Sequence, residues 1–227
     1  MYITKQLLGQ DPTLRIYKEG NWKDPVTTDQ VGYTSFNDAG IECETGEFLF
    51  AWMRILKPKH VLETGTHWGV GASYMGAGLR DNGEGHLDTI EFLPEIHEQA
   101  KARIERLGLQ SYVTCHYGDV AKFQPTVKYD FILLDTEPQT RFGEFIQFYD
   151  SLNDGGYLFI HDLHQHMQQV PNEEHGFAWP YGKIPDFILN VIRTGKVRPF
   201  HFHTPRGLTG FYKTHPEDYK FMVNNTP

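Results

Sequence analysis

A chain of 227 residues, 39% hydrophobic and 22% charged, has room for one sizeable α/β domain and little space for a second. Its net charge of −8, with no lysine or arginine cluster to offset it, argues against a nucleic-acid partner, whose phosphates need cationic contacts. No apolar run nears the roughly 20 residues that span a bilayer, and the first ten residues lack the apolar core of a signal peptide. A cytoplasmic protein with no membrane partner is therefore expected.

Residues 1–42, with Pro12, Pro25 and many polar positions, read as an N-terminal arm of extended chain or short helical turns. Such an arm could pack over the domain or support a homodimer. Residues 43–227 read as a single domain. Phe48, Leu49, Trp52, Ile55 and Leu56 recur at helical spacing and predict a helix over 45–56, stopped by Pro58. Next comes Val61-Leu62-Glu63-Thr64-Gly65-Thr66-His67-Trp68-Gly69-Val70-Gly71, a short apolar run that breaks into glycines. This pattern predicts a strand, a tight turn and a helix reaching Leu79. Free N–H groups and the positive helix end at such a turn suit a polar or anionic ligand. Gly65, Gly69 and Gly71 would let it approach the main chain.

Further strands are expected over 86–91, 112–116, 129–134 and 157–160, separated by helices over 94–107 and 141–152. Pro94 stands where a helix start tolerates proline, and Ile96, Ala100, Ile104 and Leu107 form the apolar stripe of that helix. After a helix over 185–193, strands over 199–203 and 208–213 make a hairpin. The alternation implies an α/β fold: a doubly wound, Rossmann-like, seven-stranded sheet, mostly parallel with an antiparallel last strand. The segment 163–183 is too long for a simple connection. With His175, Phe177, Trp179 and Tyr181, it reads as an acceptor-binding loop or lid, as packing under a long loop, or as part of a dimer contact. Cys43 and Cys115 fit no metal-binding spacing and read as buried or half-buried thiols.

Ligands of open parallel sheets bind beyond the carboxyl ends of the strands. Those ends carry Glu63 to Thr66, Glu91, Asp119, Asp135, and His161 with Asp162. Any one could be a capping or solvated acid, but five in succession at one edge suggest a site. Glu91 lies 20 residues beyond Gly71, where an acid accepts both hydroxyls of a ribose. A dinucleotide is a candidate on that ground, yet the glycine spacing is wrong for it. Three residues separate Gly65 from Gly69, and the bulky His67 and Trp68 stand where a pyrophosphate needs bare backbone. A phosphate-free ligand with an adenosine end fits better.

On these stretches, together with Thr89-Ile90-Glu91, Gly118-Asp119, Asp130 to Asp135 and Gly155 to Asp162, the chain resembles the class I S-adenosylmethionine-dependent methyltransferases. It is most similar to small-molecule O-methyltransferases of the catechol, macrocin and cephalosporin-cluster types, over about residues 46–213. The resemblance implies that Glu63, Gly65, Thr66, His67 and Gly69 hold the methionine end of the cofactor. Glu91, with Phe92 beside it, would take the ribose. Gly118, Asp119 and Val120 would lie against the adenine, and Asp135 near the sulfonium. In metal-dependent relatives the positions of Asp135, His161 and Asp162 bind a divalent cation. Two carboxylates suit magnesium, whereas a histidine suits manganese, iron or zinc better. The same pair His161-Asp162 also occurs as a plain strand end in metal-free methyltransferases.

Catechol-type relatives carry a lysine three residues after the aspartate, but this chain has Pro138 there. The resemblance then leaves His161, His164 or His166 as the base for a hydroxyl acceptor, with Asp135, His161 and His164 as the expected catalytic set. The expected activity is methyl transfer to a hydroxyl of a small molecule, assisted by a divalent metal. The rival readings are a nicotinamide-dependent oxidoreductase and a non-catalytic S-adenosylmethionine-binding module.

Overall fold

A computed structural model describes residues 2–11, 17–23, 30–36, 40–163, 184–202, 204 and 206–218. Before residue 43, where the sequence reads as irregular, the chain forms a helix and a pair of strands. Helix α1, Tyr2–Gln10, buries Ile3 and Leu7 in the main core, and its Thr4 Oγ1 lies 2.7 Å from the Tyr74 hydroxyl. Strands β1, Tyr17–Lys23, and β2, Gln30–Ser35, pair antiparallel in a sheet of their own.

The rest alternates. Helix α2, Cys43–Leu56, precedes β3, His60–Thr64, and α3, Val70–Asn82. Then come β4, His86–Glu91, α4, Pro94–Arg106, β5, Val113–Tyr117, and β6, Tyr129–Leu134. Helix α5, Arg141–Phe148, leads to β7, Leu152–His161, and α6, Asp186–Arg193, leads to β8, Val197–Phe202, and β9, Leu208–Lys213. The seven strands lie in the order β5-β4-β3-β6-β7-β9-β8. Strand β9 runs antiparallel to both neighbours, and the pairings from β5 through β7 are parallel.

Strand alternation explains the two-sided core. On β6, Phe131 and Leu133 join Val61 and Phe159 under α2 and α3, while Ile132 and Leu134 join Leu62, Leu158 and Ile160 under α5 and α6. Helix α3 is buried continuously from Val70 to Leu79, which is why small residues rather than an amphipathic stripe fill it. One expectation shifts. Apolar positions over 141–152 suggest a single helix, but α5 stops at Phe148, and Leu152 instead opens β7 by pairing with Tyr129. The backbone of Leu152 thus serves the sheet rather than a further helical turn.

The chain runs outward from β3 to β5, then returns to place β6 on the other side of β3. That reversal opens a crevice at the carboxyl ends of β3 and β6, the usual ligand position in such sheets. The proposed loop over 164–183, with His164 and His166, lies outside the described residues. Among the described residues, no helix is long and apolar enough to cross a membrane.

Phe159 is fully buried, with ring centroids 5.0 Å from Phe131, 5.4 Å from Trp52 and 5.6 Å from Phe200. Phe159→Ala should lower folding stability by about 3–5 kcal/mol through lost burial and a residual cavity. Urea unfolding measures this, and a loss below about 1 kcal/mol would contradict the packing described.

Candidate active site

The turn after β3 is shaped by what crowds it. Gly65 has φ +81, and a Cβ there would collide with the Asp135 carbonyl. A Cβ at Gly71 would strike Glu63 Oε1. Gly65 therefore requires glycine for both space and its left-handed backbone, whereas a side chain at Gly71 would have to displace the Glu63 carboxyl. Helix α3 starts at Gly69 with no side-chain cap, so no side chain offsets its positive end.

Glu63 is buried, and its Oε2 accepts from Thr89 Oγ1 at 2.6 Å. Burial, reinforced by the nearby Asp135 and Glu91 carboxylates, pushes its pKa up to about 8 despite that hydrogen bond. At the end of β4, Glu91 is held by backbone donors, with His67 N–H giving to Oε2 at 2.8 Å and Leu93 N–H to Oε1 at 2.9 Å. Asp119, beyond β5, accepts from Ala121 N–H at 2.9 Å. Glu144 on α5 accepts from Thr64 Oγ1 at 2.6 Å and Thr140 Oγ1 at 2.9 Å, and also from Thr136 Oγ1.

The ends of β6 and β7 carry a network of charges. Asp135 Oδ1 accepts from Arg141 Nη2 at 3.1 Å and from His161 Nδ1 at 2.9 Å. Arg141 Nη1 reaches Asp162 Oδ2 at 3.1 Å, and the same guanidinium donates to the backbone carbonyls of Thr136 and His161. His161 Nε2 lies 2.8 Å from Glu42 Oε2. Arg206 Nε approaches Asp162 Oδ1 at 2.7 Å and Glu42 Oε1 at 3.7 Å. The Arg206 contacts are ion pairs rather than aligned hydrogen bonds, since both oxygens lack a well-directed donor.

A carboxylate only accepts, so two carboxylates facing the two ring nitrogens make His161 an imidazolium. Burial opposes that charge, but Asp162, Asp135 and Glu42 outweigh it and raise the His161 pKa well above the usual imidazole range. Burial likewise opposes ionisation of Asp162, yet His161, Arg141 and Arg206 hold its pKa low.

These groups bound a cleft of about 1120 Å³ lined by the β3 turn and the ends of β4 to β7. Of the residues expected from the sequence, Glu63, Gly65, Thr66, His67, Glu91, Phe92, Asp119, Val120, Asp135 and Asp162 line it. Gly69 and Gly118 do not. Gly69 caps α3, and Gly118 N–H bonds the Glu91 carbonyl at 2.9 Å. His161 lies behind the cleft, 1% exposed, and its two bonded nitrogens leave none to take a proton from an acceptor, the role expected for it.

The residues as arranged do not fit the expected metal ion. Glu42, His161 and Asp162 do bring ligand atoms within 4.8 Å of one another. Asp135 is outside that group, and every acid in the network already faces a cation. Glu42, Arg141, Glu144 and Arg206 were not singled out in the sequence. They lie at separated positions with no motif between them, and only the fold joins them.

With this geometry in hand, comparison with known proteins gives a consistent result. Residues 62–163 match the family model described as a methyltransferase domain. The protein-L-isoaspartate O-methyltransferase of Staphylothermus marinus is 39% identical over 82 residues, covering 33% of this chain and 35% of its own. That of Ignicoccus hospitalis is 40% identical over 75 residues, covering 33% and 34%. The chain thus spans about a third of the length of these curated relatives.

Among solved structures, the O-methyltransferase TomG of Streptomyces achromogenes, in complex with SAM, superposes with a TM-score of 0.64 at 19% identity, covering 78% of this chain and 82% of that one. The O-methyltransferase of Bacillus cereus, in complex with SAH, gives 0.65 at 18% identity, covering 78% and 84%. At such identities the likeness is one of fold. Residues 62–163 thus resemble a methyltransferase domain, and the chain shares the fold of the solved O-methyltransferases.

The Glu63 carboxyl yields a pH prediction. Its folded pKa of about 8 lies above the ordinary 4.5, so between those values the folded state binds the extra proton. Stability from this group therefore falls as pH rises, by on the order of 1 kcal/mol per pH unit. Urea unfolding of the wild type and Glu63→Gln from about pH 5 to about pH 8 should show the wild type losing stability relative to the variant. A pH-independent difference would refute the assignment.

Proposed function

We propose that this chain transfers a methyl group from S-adenosylmethionine to a hydroxyl of a small-molecule acceptor. One observation carries the reading: among the described residues, seven carboxyl side chains line the cleft against two arginines, and both arginines are ion-paired to acids. A cofactor with a sulfonium and an ammonium group suits such a field. The pyrophosphate of a nicotinamide dinucleotide does not, because like charges in a partly dry cleft repel strongly.

The roles follow from position. Glu63 and the uncapped start of α3 would receive the ammonium and carboxylate of the methionine end. Glu91, its carboxylate already oriented by two backbone amides, would accept from the ribose hydroxyls. Asp119 would meet the exocyclic amine of adenine, with the exposed Phe92 and Leu93 and the half-buried Val120 against its ring.

Methyl transfer is an in-line displacement on a carbon already activated by positive sulfur. The protein's main task is then to align the acceptor oxygen and help remove its proton. Asp135, whose side chain is 17% exposed at the cleft, is the group assigned to hold the acceptor hydroxyl. Pro138, where a lysine base would stand in catechol-type relatives, also lines the cleft and offers no proton acceptor.

Calorimetric titration should show saturable binding of S-adenosylmethionine and none of NAD or NADP at the same concentration. Glu91→Ala should weaken S-adenosylmethionine binding about tenfold or more, in line with roughly 1.5–3 kcal/mol for hydrogen bonds to a charged group. Tighter binding of a dinucleotide would overturn the reading. Presenting phenolic, sugar and isoaspartyl-peptide acceptors, with methyl addition read by mass spectrometry, tests the acceptor class. Methylation of the peptide alone would contradict a small-molecule hydroxyl.

A further inference from the structure

We propose that Arg141 occupies the place a divalent cation would take in this site, so that the acids at the ends of β6 and β7 work without a metal. The inference rests on the methyltransferase reading and concerns how the acceptor end of that site is built.

Three observations carry it. First, the Arg141 guanidinium stands between the two strand ends, 3.1 Å from Asp135 Oδ1 and 3.1 Å from Asp162 Oδ2. Its Nε also donates to the Thr136 carbonyl at 2.7 Å. This planar fork is fixed by both strands and by the turn after β6, and its side chain is only 4% exposed.

Second, among the described residues the charges of this network sum to zero. Glu42, Asp135 and Asp162 supply three negative charges, and Arg141, Arg206 and the doubly bonded His161 supply three positive ones. A divalent ion would leave two uncompensated positive charges among side chains between 0% and 18% exposed, which a dry site tolerates poorly.

Third, the distances conflict. Hard cations take oxygens directly, at roughly 2.0–2.6 Å. Here Asp135 Oδ1, Asp162 Oδ2 and Glu42 Oε2 are engaged by nitrogen donors that an ion would have to displace, His161 included.

Arg141 thereby acts as a positioning residue. It fixes the orientation of Asp135 at the cleft and neutralises the pair of acids, as an ion would. Unlike an ion, it has no open coordination position for the acceptor oxygen. The acceptor must then be held by the protein's own side chains.

The test uses the purified full chain. Elemental analysis by mass spectrometry should find no stoichiometric metal. The melting temperature should be unchanged by EDTA or by added Mg²⁺, Mn²⁺ or Zn²⁺, and turnover, once an acceptor is known, should survive EDTA. Binding of S-adenosylmethionine, measured separately, shows whether the cofactor reading stands, so the two claims fail independently. One tightly bound metal per chain, or a melting temperature lowered by EDTA, would overturn the proposal.

Arg141→Met should vacate the place between the acids and make the melting temperature rise on adding Mn²⁺, which a merely structural arginine would not cause. A folded variant indifferent to Mn²⁺ would count against the proposal. If that variant does not fold, Arg141→Lys restores the charge without the fork, and its melting temperature should stay insensitive to Mn²⁺. A Mn²⁺-dependent rise in Arg141→Lys would contradict charge replacement.

Discussion

Bringing acids of one sign to the carboxyl edge of a parallel sheet is the constraint on which this structure depends. Each carboxylate removed from water needs a proton, a set of hydrogen-bond donors or a countercharge. The chain uses all three. Glu63 keeps its proton because burial dominates, with Thr89 as a donor. Glu91 takes two backbone N–H groups, and Glu144 takes three threonine hydroxyls. Among the described residues, Asp135, Asp162 and Glu42 share the cations Arg141, His161 and Arg206.

These solutions divide the cleft into two ends. Glu63, Glu91 and Asp119 line the cleft, with hydroxyl and backbone N–H donors on all three and an exposed ion pair from Lys122 on Asp119. Under the proposed function, that end is the one that would exchange partners for the groups of an incoming cationic ligand. Around Asp135, Asp162 and Glu42 the charges are matched among the described residues, which favours rigidity over ligand exchange. The N-terminal helix supports the first end from behind. Asp11, fully buried, pairs with Arg103 and Arg106 of α4, and Arg103 also donates to the Trp68 carbonyl in the glycine turn.

Much of this was legible before any coordinates. Short apolar runs ending in Glu63, Glu91 and Asp135 announce buried parallel strands and their functional edge, because burial on both faces demands continuous hydrophobicity. The turn from Gly65 to Gly71 is legible in its glycines: Gly65 is crowded by the Asp135 backbone, Gly69 is left-handed, and Gly71 packs against the Glu63 side chain. Arg141 and Arg206 were not, since an arginine in the first turn of a helix or in a loop usually points to solvent. Glu42 was hidden too, 119 positions from the His161 it meets. The first helix was missed because α1 is short and only weakly amphipathic, so its place in the core depends on partners far along the chain.

The most direct measurement of the central claim is a crystal structure with S-adenosylhomocysteine. The account predicts the ribose hydroxyls on Glu91, the amino-acid end at Glu63 and the start of α3, and the thioether sulfur facing Asp135. A ligand seated elsewhere, or a cleft that stays vacant at saturating concentration, would contradict it.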